Sequence, residues 1–201
     1  MVSAPGSDAQ SFGAAALADS VQSTVKLLIV GHFGVGKTTL VNTVSEIPPL
    51  RTEELMTEAG APVDDLSNVG GKSTTTVALD FGRLTISDTL ALYLFGTPGQ
   101  DRFAQIWRDI AYGALGALVL VDTARLEQAF EVMGRLEERS IPYAVAVNDF
   151  AHSPVHDSLE LRGALDLLPE TPLVHCDARD RRSCFEALIS LVEYVQTQDS
   201  P

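Results

Sequence analysis

The sequence predicts a three-layer α/β domain whose sheet is mostly parallel, with one antiparallel hairpin strand. Strand-length runs of Val, Leu, Ile and Ala recur along the 201 residues, separated by stretches with helical spacing of apolar residues. One pair of runs is joined by a three-residue turn instead, which marks a hairpin. Continuous apolar runs are what strands need when helices cover both faces of their sheet.

The elements follow in order. Residues 1–23 are rich in Ala, Ser, Gly and Asp without periodicity and read as a flexible tail, leaving one domain over 24–197 and a short tail at 198–201. "VKLLIV" (25–30) is a strand, and "GKTTLVNTVSEI" (36–47) is a helix stopped by Pro48 and Pro49. Residues 51–73 lack sustained periodicity and read as a long loop, which in a compact domain is usually functional. "TTTVALDFGRLTI" and "LALYLF" flank the turn "SDT". Then come the strand "GALVLVD", the helix "RLEQAFEVMGRLEER", the strand "YAVAVN", the short helix "SLELRGALDLL", the strand "PLVHCD" and the helix "RRSCFEALISLVEYVQT".

Composition narrows the function. With 27 acidic against 14 basic residues and a net charge of −13, a basic surface for nucleic acid or anionic lipid is not expected. No apolar run approaches the roughly 18 residues of a membrane span. The start "MVSAPGSDAQ" lacks signal-peptide features, Val2 stands where myristoylation needs glycine, and the end "QTQDSP" lacks a prenylation cysteine. The expectation is a cytoplasmic protein without its own membrane anchor, brought to a membrane only by a partner. Cys176 and Cys184 lack zinc-type spacing and read as packed thiols in a reducing compartment.

One stretch carries chemistry. In "GHFGVGKTT" (31–39), Gly31, Gly36, Lys37 and Thr38 satisfy G-x-x-x-x-G-K-[ST], between a strand and a helix as that motif requires. Glycines let the backbone amides of Gly31, Phe33, Gly34, Val35, Gly36 and Thr39 turn toward phosphate, and the helix N-terminus adds positive dipole. Lys37 supplies a point charge and the Thr38 hydroxyl reaches Mg²⁺. A P-loop NTPase fold follows.

The segment "FGTPGQDRF" (95–103) resembles the "DTAGQE" stretch of Ras-like small GTPases, with Thr97, Gly99, Gln100 and Asp101 at matching positions. The series "GVGKTTLV", "VDDLSNVGGKSTTTVALDFGRLTI", "ALYLFGTPGQDRF", "GALGALVLVDTARLE", "YAVAVN" and "CDARDRRS" is more specifically similar to bacterial small GTPases of actinobacterial conservon clusters, distant relatives of the polarity GTPase of gliding bacteria. The resemblance implies a Ras-like sandwich with a six-stranded sheet, GTP or GDP with Mg²⁺, and signalling through a Roadblock-type protein and a sensor kinase-like protein.

It also implies residue roles. Thr76 would close on Mg²⁺ and the γ-phosphate, the Gly99 amide would donate to that phosphate, and Gln100 would orient the attacking water. Asn148 and Asp149 would face the base, as would the loop of Asp177, Ala178 and Arg179, with the Ala178 amide toward the guanine oxygen.

Departures from the Ras pattern matter as much as the matches. Gly96 stands where those proteins carry the Asp that holds a Mg²⁺-bound water. Asp80, an acidic residue inside an apolar run on the neighbouring hairpin strand, is proposed to replace it, since cross-strand neighbours sit roughly 5 Å apart. Phe33 takes a P-loop position usually held by Gly, so hydrolysis should be slow. None of Lys72, Arg102 or Arg108 is assigned a catalytic role. The guanine-reading N-K-x-D segment is "NDFA" here, with Asp149 for Lys and Ala151 for the discriminating Asp; Asp149 or Asp157 could compensate only off register.

His32, His152, His156 and His175 lack metal-ligand partners and read as surface or loop residues. Trp107, with Phe103 and Ile106, reads equally as core or as a patch facing a partner. A switch leads, ahead of a pseudo-GTPase scaffold that does not cycle; an ATP-using small-molecule kinase comes last, because 51–73 carries a single Arg.

Overall fold

A computed structural model describes residues 21–48, 50–56, 75–97 and 104–198. Among them one sheet of seven strands forms, in the order β2-β3-β4-β1-β5-β6-β7. The strands are β1 (Ser23–Val30), β2 (Leu50–Met56), β3 (Thr75–Ser87), β4 (Leu90–Gly96), β5 (Gly116–Val121), β6 (Tyr143–Asn148) and β7 (Leu173–Cys176). The helices are α1 (Lys37–Val44), α2 (Ala104–Ala111), α3 (Phe130–Glu137), α4 (Ser158–Ala164) and α5 (Arg181–Gln198).

Strands β4, β1, β5, β6 and β7 run parallel, whereas β3 is antiparallel to both β4 and β2. The mostly parallel three-layer sandwich expected from the sequence is present. It is wider by one strand, because Leu50–Met56, at the start of the stretch read as loop, pairs antiparallel with Thr75–Phe81. Residues 57–73 of that expected loop lie outside the described residues.

Period-two alternation divides each central strand between two cores. In β1, Leu27 and Ile29 face a cluster made with Leu40, Val41 and Val44 of α1 and Leu188 and Leu191 of α5. Leu28 and Val30 face the opposite cluster, which contains Trp107 and Ile110 of α2, Met133 and Leu136 of α3, and Leu161 of α4. All four β1 side chains are fully buried, so the strand reads as apolar throughout.

The expected helix over 125–139 is a correction. Thr123–Ala129 form a 3-10 segment in which Arg125 is non-helical (φ −147°, ψ 46°), and the α-helix begins at Phe130. The Asp122 side chain accepts from the Ala124 amide at 3.0 Å and diverts the chain before a regular helix starts.

Trp107 is resolved in favour of the core. Its ring is almost wholly buried, with the Arg139 guanidinium 4.9 Å from its centroid. Phe103 and the Ile106 side chain lie outside the described part. Among the described residues no helix is long and apolar enough to cross a membrane.

Central β1 has β4 on one side and β5 on the other, so the loop leaving its C-terminal end opens at the point where the strand order reverses.

Candidate functional site: a phosphate cradle and its base side

Residues 31–36 wrap from the end of β1 into α1. Gly36 precedes the helix at φ 106°, a conformation open to glycine. A Cβ there would lie 2.5 Å from Asn148 Nδ2, so the position is closed to a side chain on both counts. Gly31 and Gly34 also have positive φ, whereas Val35 is fully buried and anchors the loop in the core.

Lys37 is buried at the start of α1. Its Nζ donates to the carbonyls of Gly31 and His32, each at 2.7 Å. Burial lowers its pKa from 10.5 to about 8, with nearby Asp80 opposing the drop. At about 1.4 kcal/mol per tenfold change, that corresponds to about 3 kcal/mol against the charged form. A buried ammonium held on two carbonyls at the head of a helix is short of negative charge, and a phosphate would supply it.

The Thr38 hydroxyl donates to Asp80 Oδ2. Asp80 is buried in β3, directly opposite Gly96 of β4. A Cβ on Gly96 would lie 2.9 Å from Asp80 Cβ and 3.2 Å from Oδ2. The side chain of Asp80 therefore fills the space that Gly96 leaves, and its carboxylate sits on the hydroxyl expected to reach Mg²⁺. An oxygen donor pair of this kind suits a hard divalent cation. Thr97, next along, is buried, and its amide donates to Ile29 O at 3.0 Å.

His32 keeps the loop half of its expected surface-or-loop role and loses the surface half. It lies in the loop but is buried, with Nδ1 2.7 Å from Phe33 O and Nε2 without a partner among the described residues. Burial lowers its pKa, so the neutral ring with the proton on Nδ1 is the form that donates to that carbonyl. The Phe33 ring is 72% exposed.

Sequence reasoning missed the network beside His32. Asp122, fully buried at the end of β5, accepts from Ser153 Oγ at 2.5 Å and from Arg125 Nη2 at 3.2 Å. Burial alone would raise its pKa, but the bonds from Ser153, the Ala124 amide and Arg125 hold it below the usual carboxylate range. An Asp closing an apolar strand was the available signal.

Where the sequence places the base, Asn148 is buried at the end of β6. Its Nδ2 donates to Val35 O at 2.9 Å, and its Oδ1 accepts from the Ala178 amide at 3.0 Å. The amide expected to face a guanine oxygen is thus engaged by Asn148. Asp149 is exposed, with Oδ1 3.3 Å from His175 Nδ1. Asp177 accepts from the Arg179 amide, Nε and Nη2, each at 2.9 Å, and these bonds from Arg179 lower its pKa.

Thr76 is placed on β3 opposite Leu55, without a described side chain. Gly99 and Gln100 lie outside the described residues, as do Lys72 and Arg102. Cys176 and Cys184 are both buried, their sulfurs 3.9 Å apart, and among the described residues no group of three or more His, Cys, Asp or Glu could hold a metal ion.

Comparisons with known proteins give the chain a family and a fold. A family model described as "Conserved hypothetical ATP binding protein" matches residues 29–198. An uncharacterized protein of Methanocaldococcus jannaschii is 34% identical over 127 residues, 62% of this chain and 69% of that protein. A probable translation initiation factor IF-2 of Thermofilum pendens is 28% identical over 179 residues, 86% of this chain but 27% of the factor. The G domain of the T. maritima FeoB iron transporter shares the fold, with a TM-score of 0.62 at 20% identity over 87% of this chain and 100% of that domain.

Proposed function

Because the chain belongs to the family of conserved hypothetical ATP-binding proteins and has the fold of a G domain, we propose that it is a GTPase-like nucleotide-binding protein that works as a molecular switch. In this reading it binds GTP with Mg²⁺, hydrolyses it slowly, and signals through a Roadblock-type protein and a sensor kinase-like protein, as its resemblance to conservon-type small GTPases implies.

The observation that carries the reading is the meeting of Lys37, Thr38 and Asp80 at the head of α1. Thr38 and Asp80, with Thr76, would hold Mg²⁺, which would neutralise charge on the β- and γ-phosphates. Lys37 is pre-positioned by two carbonyls, so little reorganisation precedes its contact with phosphate. The loop amides and the α1 terminus bind the phosphates. Gly99 and Gln100 keep the roles that the resemblance implies, an amide donor and a water-positioning side chain.

A pseudo-GTPase scaffold is the second reading, favoured by Ala151 and by the engaged Ala178 amide.

Single-turnover phosphate release from GTP by the full chain, in Mg²⁺ and in EDTA, separates the two. The switch reading expects slow release that requires Mg²⁺ and is abolished in Gln100→Leu, with capture of the Roadblock-type partner differing between GDP and a non-hydrolysable GTP analogue. Absence of hydrolysis, with capture indifferent to nucleotide, overturns it in favour of the scaffold.

A further inference from the structure

We infer that this site selects its ligand by the Mg-triphosphate and not by the base, so that ATP and GTP compete for it on nearly equal terms. The inference rests on the nucleotide-binding reading above and specifies its substrate class.

Guanine presents two donors side by side, the ring N–H and the exocyclic amine, whereas adenine presents a donor beside an acceptor. Strong discrimination needs a fixed double acceptor, because a site built to hydrogen-bond one edge leaves its own groups unpaired against the other. Ala151, the residue on register for that acceptor, is exposed and has only a methyl group.

Asp122, Asp149, Asp157, Asp177 and Asp180, the carboxylates of this loop and of those that flank it, are engaged elsewhere. Asp157 Oδ1 accepts from the amides of Leu159 and Glu160, both at 2.8 Å, and caps α4. Asp149 is turned to His175, and its own amide donates to Cys176 O at 2.9 Å. Asp177 accepts three bonds from Arg179, and Asp180 Oδ1 accepts from the Ser183 amide at 2.7 Å. Asp122 is buried under Ser153, Arg125 and Ala124.

The remaining guanine contact is taken as well. The Ala178 amide, which would favour a carbonyl oxygen over an amine, is bonded to Asn148 Oδ1. Asn148 cannot turn away without also releasing Val35 O. Among the described residues the base side thus offers no fixed double acceptor and no free amide donor at Ala178, while the phosphate side keeps its buried ammonium.

The test is displacement of N-methylanthraniloyl-GDP from the full chain in Mg²⁺ by GTP, by ATP and by inorganic tripolyphosphate. The expected result is GTP and ATP affinities within about tenfold, with tripolyphosphate also displacing the probe. Ala151→Asp, at an exposed loop position where folding is not at stake, should raise the preference for GTP over ATP to 100-fold or more. A wild-type preference for GTP above 100-fold, with tripolyphosphate still competing, overturns the inference and leaves the phosphate-site reading standing. An Ala151→Asp variant that stays folded and gains no preference also overturns it. If the probe, both nucleotides and tripolyphosphate all fail to bind, the phosphate-site reading fails, and the inference with it.

Discussion

Exchanging the residues at positions 80 and 96 tests whether Asp80 stands in for the carboxylate that Gly96 lacks. Asp80→Ala removes a charge-assisted hydrogen bond to Thr38, about 1.5–3 kcal/mol. Expressed in Mg-nucleotide affinity, this is a loss of about 10–100-fold. Gly96→Asp alone should also fail, because its Cβ would lie 2.9 Å from Asp80 Cβ and would set a second carboxylate beside the first. Overpacking of that kind costs about 1–3 kcal/mol of stability. The double variant D80G/G96D moves one carboxylate across the strand pair and leaves no Cβ to meet it. It should recover affinity to within about tenfold of wild type. D80A/G96D keeps a Cβ at position 80 and should remain defective. The assay is fluorescent GDP titration in Mg²⁺ and in EDTA, with a thermal melt to verify folding. If D80G/G96D melts cooperatively yet binds no better than Asp80→Ala, or if Asp80→Ala keeps full Mg²⁺-dependent affinity, the substitution argument is wrong.

Other expectations follow from the same geometry. Lys37 has a folded pKa of about 8 against 10.5 when unperturbed, so between those values the unfolded chain binds more protons and the Lys37 contribution to nucleotide-free stability rises with pH. Over the same window nucleotide affinity should fall by up to tenfold per pH unit as the ammonium discharges, and titrations from pH 7 to 9.5 on wild type and Lys37→Met, whose profile should be flatter, check this. Asn148→Ala leaves Val35 O and the Ala178 amide without their partner, at about 2–4 kcal/mol. For a domain of this size that lowers Tm by roughly 4–16 °C in a calorimetric scan. Phe33→Ala should change unfolding free energy by less than about 0.5 kcal/mol, since the ring is 72% exposed, whereas Trp107→Ala should cost about 3–5 kcal/mol in urea denaturation.

Much of the sheet was legible because its strands are buried on both faces. Leu27 to Val30 or Leu118 to Val121 could hardly be anything but central strands. Leu50–Met56 was not legible, because "LRTEELM" carries charges at a sheet edge, where only one neighbouring strand constrains the pattern. The break at Arg125 was hidden because Leu126, Ala129, Met133 and Leu136 keep helical spacing across it. The pairing of Asp80 with Gly96 was readable as an acid in an apolar run opposite a vacated position. Asn148 was read as a base contact, whereas its bonds run to Val35 and Ala178, separated from it by 113 and 30 residues. Such separations leave no local signal.

The Asn148 bonds have a mechanical consequence for nucleotide exchange. Through one amide group the glycine-rich loop and the loop that leads into α5 are tied together. Thr43 Oγ1 adds to it by donating to Ala178 O at 2.7 Å, which fastens α1 to the same point. In the proposed switch, a partner that levers on the start of α5 would therefore reach the phosphate site from behind, without entering the glycine-rich loop. Under the proposed switch reading, release of a nucleotide would then be a matter of unlatching the back of the site.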